Sequence, residues 1–181
     1  MGKMREYDIA FVGLRPGIHE FEYEVKDKFF ENFTKPDFHD CIAKVKVQLD
    51  KSASLMLLKF DIDGTVEANC DRCGNPLKLN LWDEFNLVVK AVDNADEMNN
   101  SEDDPDIYYI SRTETHLHLA EWIYEFVLLS VPNQRTCGED EKGNSLCNKK
   151  VLKMLEQMEK RTLENNHPLQ KELEQFKKNK N

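Results

Sequence analysis

Several features that mark common functional classes are missing from this sequence. No window is apolar over the length needed to cross a bilayer. The chain also has no glycine-rich phosphate loop, no G-x-S-x-G elbow and no H-E-x-x-H metal pair. We therefore expect a protein without a membrane span, without enzyme activity and without an evident small-molecule substrate.

Basic residues are fewer than acidic residues in this sequence. The 25 lysines and arginines are outnumbered by 34 aspartates and glutamates, which gives a formal net charge of −9 and a pI near 5.1. A field of this sign repels phosphate, so it disfavours nucleic-acid binding through bulk counterion release. Any contact with RNA would need a local basic patch.

The five cysteines are an odd number, and the charged segment Met1–Asp8 shows no secretory signal. Both observations indicate reduced thiols rather than disulfides, and hence a cytoplasmic protein. At 181 residues the chain is long enough for one domain with a substantial core. We assign residues 1–160 to this single domain and residues 161–181 to a polar, disordered tail.

Alternating apolar and polar residues dominate the first half, a period typical of half-buried strands. The clearest case runs over residues 43–50. The short connections between the predicted strands favour an antiparallel meander. Further strands are predicted at residues 7–12, 20–25, 58–68 and 77–91, with a bulge or turn at Gly64 and a bend or bulge at residues 82–84.

Helical spacing is confined to the second half, where apolar residues recur every three or four positions over residues 119–129 and 149–160. Before the first helix, residues 93–106 contain seven carboxylates, no basic residue and no periodicity, so we predict a solvated loop. The predicted fold class is α+β: an antiparallel sheet, open or barrel-like, with C-terminal helices packed against it.

Cysteine spacing supplies the strongest chemical signal. Cys70-Asp71-Arg72-Cys73 is a C-x2-C turn between two predicted strands, and Cys137 and Cys147 form a second, wider pair. Thiols two residues apart can face one tetrahedral ion, so the two pairs would complete a four-sulfur zinc site. Alternatively, the first pair is a reduced turn, since the nine residues between Cys137 and Cys147 exceed the spacing of a zinc knuckle. Both interpretations stay open.

A zinc-dependent or thiol redox enzyme that uses Cys70 and Cys73 is an alternative from another functional class. A redox pair usually lies at a helix N-terminus, where the helix dipole lowers a thiol pKa. Here Cys70 ends a strand and Cys73 precedes the turn residues Gly74-Asn75-Pro76. This context favours a structural metal over thiol exchange.

Three weaker candidates have plainer explanations. His116 and His118 would face one side of a strand, but surface histidines before a helix fit the pattern as well. Glu121 and Glu125 could form an acid–base pair, yet a solvated helix face is favoured. Cys41 opens a strand and is expected to be a small buried hydrophobe.

These motifs occur in an order that resembles a known family. The C-D-R-C turn is followed by Pro76, Leu117-His118-Leu119 leads to Glu125, and residues 128–132 read L-L-S-V-P. Together, over about residues 5–160, the chain resembles the YceD family of bacterial domains of unknown function.

The resemblance implies a role in the accumulation of large-subunit ribosomal RNA, and hence in ribosome assembly, without an established enzyme activity. Three features of this sequence depart from the family pattern. They are Gly74-Asn75 after the second cysteine, His118, and a C-terminal cysteine cluster reduced to Cys137 and Cys147.

Two sets of charged residues are candidates for binding. Contacts with large-subunit rRNA would use Arg72 between the two thiols and the strand lysines Lys44, Lys46 and Lys78. Lysines also commonly solvate the outer face of a sheet, which is the plainer explanation for them. Contacts with a basic ribosomal protein would use the acidic residues Asp103, Asp104 and Asp106.

Overall fold

A computed structural model describes residues 4–162 of the chain. Within them, the first of two compact units combines residues up to Ala68 with Lys78–Asn133, and the second combines Asn69–Leu77 with residues from Gln134 onward. Strands and helices are both present, so the predicted α+β class is confirmed. The domain boundary at residue 160 stays a prediction. Residues 161 and 162 of the predicted tail are helical, and the rest of the tail, residues 163–181, lies outside the described residues.

The described residues contain seven strands in two sheets. They are β1 (Asp8–Ile9), β2 (Gly17–Lys26), β3 (His39–Lys51), β4 (Leu55–Asn69), β5 (Pro76–Val92), β6 (Ile107–Ser111) and β7 (Leu117–His118). β2 to β6 lie side by side in chain order with β2 and β6 at the edges, so this part of the chain forms an open main sheet. β1 pairs antiparallel with β7.

Alternation along β3 gives the main sheet an inner and an outer face. Val45, Val47 and Leu49 are at most 1% exposed, whereas Lys44 and Lys46, which alternate with them, are exposed. β3 pairs antiparallel with both β2 and β4, as the short connections predict. The strand predicted at this position is therefore confirmed.

The helices are α1 (Asp27–Phe30), α2 (Ala95–Ser101), α3 (Ala120–Leu129) and α4 (residues 149–162). α3 packs on the sheet through Phe126, whose ring stacks on Phe85 with centroids 4.4 Å apart and meets Phe60 edge-on at 4.9 Å. Both predicted helices are thus confirmed. None of the described helices combines the length and apolar character needed to span a membrane.

The prediction of a solvated loop over residues 93–106 is wrong for its first half, which forms α2. The side chain of Asn99 fixes α2 to β6, because it donates to Tyr109 O and accepts from Tyr109 N–H, both at 2.8 Å. β6 pairs parallel with β5, and a parallel neighbour needs a crossover connection, which α2 supplies. Periodicity missed α2 because its seven residues are mostly polar and none is buried.

Local strand predictions also need correction. The strand predicted at residues 7–12 is only the two-residue β1, because 3-10 turns lie on either side of it. The bulge predicted at Gly64 is wrong, since pairing with β3 is continuous there and the register shift lies between His39 and Ile42. Gly64 is explained by close approach instead: a Cβ atom would lie 2.4 Å from Ile42 O. β5 runs unbroken through residues 82–84.

Candidate metal centre

The first cysteine pair lies in a tight turn of the second unit. Gly74 N–H donates to Cys70 O at 2.9 Å, and Cys70 N–H donates to Asn75 O at 2.8 Å. Gly74 has a φ of +73°, a left-handed conformation that a residue with a Cβ atom adopts only at a cost. The turn brings the Cys70 and Cys73 sulfurs close together.

A short hairpin closes the wide second pair. Residues 138–146 form this hairpin, with a 3.1 Å backbone hydrogen bond between its first and last residues. At its tip the Asp140 carboxylate accepts two backbone N–H groups, at 2.8 and 2.9 Å. Because a hairpin brings its ends together, Cys147 returns beside Cys137, and the nine-residue gap is no obstacle to a shared site.

The two pairs meet in the cysteine cluster, which consists of Cys70, Cys73, Cys137 and Cys147. Cys70 Sγ lies 3.8 Å from Cys147 Sγ, and Cys73 Sγ lies 3.5 Å from Cys137 Sγ. All four sulfurs lie within 4.8 Å of one another, and all four residues are free thiols. Four sulfurs at about 2.3 Å from one zinc ion lie roughly 3.8 Å apart, so the observed spacing is compatible with zinc.

The cluster is largely shielded from water. Cys70, Cys73 and Cys147 are between 3 and 9% exposed. The partly buried side chains packed against them, besides Cys137, are Leu77, Val151 and Leu152. A tetrahedral ion held here would have all four positions filled by thiolates, which is the pattern of structural rather than catalytic metal sites.

Backbone N–H groups favour thiolates on one side of the cluster. Burial acts to raise the pKa of Cys70, but two N–H groups of its own turn and the neighbouring thiols lower it to about 6. N–H groups of Asn148 and Asn75 lower the pKa of Cys73. Burial and the other thiols raise the pKa of Cys137 to about 12. A divalent cation would favour the thiolate form of all four residues.

A contact that the sequence did not predict ties the two cysteine segments together. Arg135 donates to the Asp71 carboxylate twice, from its N–H at 2.7 Å and from its guanidinium at 3.1 Å. Asp71 N–H donates in return to Arg135 O at 2.7 Å. Asp71 directly follows Cys70, and Arg135 lies two residues before Cys137. The sequence signal for this contact was weak: an acidic residue, Asp71, lies next to one cysteine pair, and a basic residue, Arg135, lies near the other.

The last described helix begins at the cluster. Asn148, which follows Cys147, accepts the Lys150 N–H on its side-chain oxygen and the Leu152 N–H on its carbonyl oxygen, both at 3.0 Å. Asparagine is among the best residues for capping a helix in this way. The cap therefore fixes the start of α4 next to the fourth thiol.

Two of the four predicted RNA contacts are engaged within the protein. Lys44 and Lys46 both pair with Glu22 across the sheet, at N···O distances of 3.4 and 3.8 Å. Lys78 is exposed, and so is Arg72 in the cysteine turn. The β3 lysines thus fit the plainer explanation, in which they solvate the outer face, and their role in binding RNA stays a prediction.

The predicted protein-binding carboxylates Asp103, Asp104 and Asp106 are all exposed between α2 and β6. The segment is internally bonded, because Asp106 N–H donates to Asp104 Oδ1 at 3.0 Å and Tyr109 OH donates to Glu102 at 2.7 Å. The three carboxylates are therefore held at the surface on a defined backbone. Their role in binding a partner also stays a prediction.

Two of the weaker candidates, His118 and Cys41, have structural explanations. His118 Nδ1 lies 2.8 Å from the Asp8 carboxylate, which joins β7 to β1. Cys41 is 2% exposed, so the prediction of a buried residue is confirmed. Burial, together with the charge of Asp27, raises the pKa of the Cys41 thiol to about 12.

Comparison with known proteins identifies the family of the chain. No curated protein and no solved structure matches the chain. A family model described as "Large ribosomal RNA subunit accumulation protein YceD" matches residues 58–177, which is more than half of the chain. The matched span contains all four residues of the cysteine cluster. The chain therefore belongs to the YceD family.

Proposed function

We propose that the protein supports the accumulation of large-subunit ribosomal RNA, and thereby ribosome assembly, as a binding factor rather than an enzyme. The observation that carries this proposal is the family match, which spans the whole cysteine cluster. The cluster supports a non-catalytic role, because an ion held by four thiolates has no open position for substrate or water. A zinc-dependent or thiol redox enzyme that uses Cys70 and Cys73 would need such a position or an accessible thiol.

Cells that lack the protein provide the test of this function. The ratio of large-subunit to small-subunit rRNA should fall when the gene is removed and should recover when the wild-type chain is supplied. Cys70→Ser/Cys73→Ser should recover less, and Cys41→Ser, which changes the thiol outside the cluster, should recover fully. An unchanged rRNA ratio in cells without the protein would contradict the proposed function.

A basic ribosomal protein is the direct partner that the charges favour. The net charge of −9 repels phosphate, and the β3 lysines are already paired with a glutamate. The exposed carboxylates Asp103, Asp104 and Asp106 instead offer complementary charge to a basic protein. Large-subunit rRNA is the second candidate, with Arg72 and Lys78 as its exposed cationic contacts.

Recovery of cross-linked partners from cell extract distinguishes the two candidates. Replacing Asp103, Asp104 and Asp106 together with asparagine should weaken capture of a basic ribosomal protein and flatten its salt dependence. Capture of RNA should stay the same or increase, because three repulsive charges are gone. Undiminished capture of the protein by this triple variant would exclude the acidic segment from binding.

Zinc is the metal that the cysteine cluster fits best, since borderline-soft Zn²⁺ binds four thiolates in a tetrahedron. We expect about one zinc ion per chain in protein purified without chelator. Cys137→Ser should lower this content, whereas Cys41→Ser should leave it unchanged because Cys41 lies outside the cluster. Reduced thiols also suit a cytoplasmic location. Little zinc in the wild-type protein, together with four readily titrated cluster thiols, would leave these cysteines as packing residues.

A further inference from the structure

A groove of about 1230 Å³ opens on the first unit, and its lining includes no residue of the cysteine cluster. Its walls include α2, β6 and α3. Among residues 4–162, seven carboxylates and two histidines, His116 and His118, line it, and no lysine or arginine does. Four of these carboxylates lie on the two helices: Asp96, Glu97, Glu121 and Glu125. The groove is therefore a concave surface of one charge sign.

Part of this negative charge is not neutralised within the described residues. Two lining carboxylates do have partners, since Asp93 pairs with Arg112 at 3.1 Å and Asp8 contacts His118. Glu121 and Glu125 form no ion pair among residues 4–162. They lie four residues apart on α3, a spacing at which like charges repel and cost the helix stability. A cation supplied from outside would relieve that repulsion.

The carboxylates of the two helices act on the same aromatic group. Tyr108 lines the groove, and burial, then Glu121, then Asp96 raise the pKa of its hydroxyl. Glu121 belongs to α3 and Asp96 to α2, so negative potential from two elements converges on Tyr108. This convergence is a property of the groove rather than of one acidic segment.

Aromatic rings complete the groove. Trp122 and Tyr108 meet edge to face with centroids 5.1 Å apart, and Tyr108 remains 39% exposed. Both residues line the groove together with Phe33 and Phe126. Indole and phenol faces attract ammonium and guanidinium groups, and arginine in particular stacks on them. A lysine or arginine side chain in the groove could therefore form ion pairs with the carboxylates and cation–π contacts with the aromatic rings.

We propose that this groove binds a basic peptide segment, with an arginine or lysine side chain seated between Glu121 and Glu125 of α3 and Asp96 of α2, against the rings of Trp122 and Tyr108. The inference rests on the proposed function in its protein-binding form, and it adds the groove as a contact surface for the basic partner beside the exposed carboxylates Asp103, Asp104 and Asp106, which lie outside the groove. Charge complementarity selects this occupant, because the same carboxylates would repel the phosphates of an RNA strand.

Intrinsic fluorescence can report binding directly. The chain has two tryptophans, and Trp82 is 84% exposed on the sheet, so Trp82→Phe leaves Trp122 as the single reporter. The full-length chain with this substitution is titrated with a synthetic peptide of alternating glycine and arginine. We expect a saturable change in Trp122 emission whose midpoint moves to higher peptide concentration as salt is added.

Two carboxylate variants separate the groove from the general negative charge. Glu121→Gln/Glu125→Gln should weaken binding about tenfold or more, because both groups belong to the proposed seat. Glu20→Gln/Asp50→Asn removes the same charge from exposed positions of β2 and β3, outside the groove, and should change binding by less than about twofold. Equal weakening by the two pairs would overturn the proposal, and so would the absence of a saturable change.

Other occupants give distinct results. Tighter binding of single-stranded polyuridine than of the arginine peptide would assign the groove to nucleic acid and overturn the proposal. Replacing Lys171, Lys177, Lys178 and Lys180 with glutamine should leave peptide affinity unchanged, whereas a tenfold gain would assign the groove to the chain's own C-terminal segment. Failure here leaves the proposed function standing if wild-type protein still restores the rRNA ratio in cells.

Discussion

At the scale of single residues, the contact between Asp71 and Arg135 determines how the cysteine cluster is assembled. Asp71 lies in the turn between Cys70 and Cys73, and Arg135 lies two residues before Cys137. The three hydrogen bonds between Asp71 and Arg135 therefore align the two halves of the site. The backbone N–H of Arg135 is the main cause of the lowered pKa of Asp71, and its guanidinium adds to the effect. A carboxyl group whose pKa is lowered by folding stabilises the folded state at pH values above its usual pKa of 3.8. This stabilisation is lost as the pH falls through the lowered pKa.

Replacing Asp71 with asparagine keeps an acceptor for one N–H group but removes the charge that binds the guanidinium. We expect zinc to be lost to a chelator about tenfold faster, because partners that orient metal ligands typically affect affinity by that factor or more. Release is followed with a coloured zinc indicator at neutral pH. Glu141→Gln, which neutralises an exposed carboxylate in the hairpin of the same unit, is the matched control. Equal release from the two variants would contradict the alignment role of Asp71.

At the scale of elements, the outcome of prediction depended on periodicity. β3 and α3 were predictable because a buried face recurs every second residue in one and every three to four in the other. α2 and β1 were not, since α2 buries no residue and β1 is only two residues long. Gly64 was misinterpreted because a glycine within a strand has the same sequence signature whether it marks a bulge or a close contact.

Gly64→Ala tests the close contact between β3 and β4. The added methyl group would lie 2.4 Å from Ile42 O and 2.6 Å from the Cα atom of Ala43, so the two strands would have to separate. We expect the free energy of unfolding to fall by about 2 to 3 kcal/mol, which is typical of overpacking against rigid backbone. Gly13→Ala is the control, because no atom of the described residues lies within 4 Å of a Cβ atom there. The free energy of unfolding of both variants is measured by urea denaturation. Similar midpoints for the two variants would show that β3 and β4 accommodate the methyl group without loss of stability.

At the scale of the whole molecule, the two units have cores of different chemical kinds. The first has an extended apolar core, whereas three of the buried core residues of the second are cysteines of the cluster. Such a small apolar core gives little stability without a metal or a cross-link. The second unit should therefore depend on zinc much more than the first.

Hydrogen exchange with and without a zinc chelator tests this difference. Chelation should speed amide exchange in residues 69–77 and 134–162, while amides of β3 and β4 within the first unit keep their protection. Cys41→Ser, with an intact cluster, should respond to the chelator as the wild type does. Uniform acceleration across both units would mean that the metal stabilises the whole chain, and no acceleration would mean that the second unit does not need it.

The two candidate sites were predictable from the sequence to different degrees. The four cysteines could be identified because thiols are rare and the first pair has recognisable spacing. The Asp71–Arg135 contact and the groove could not, because each joins residues that are far apart in the chain and have ordinary spacing. One local signal did exist for the groove, because Glu121 and Glu125 lie four residues apart on α3. Like charges at this spacing destabilise a helix, and a bound cation would remove that cost.

The hairpin of residues 138–146 also gives the protein a point at which its chain can be lengthened. The bridge between Glu139 and Ser145 fixes both strands where they lead into the cluster, whereas Glu141 and Lys142 at the tip are exposed. Exposed tips of this kind tolerate insertions well. An affinity epitope placed between Glu141 and Lys142 should leave all four thiols in position, so complexes could be isolated with both chain ends unmodified.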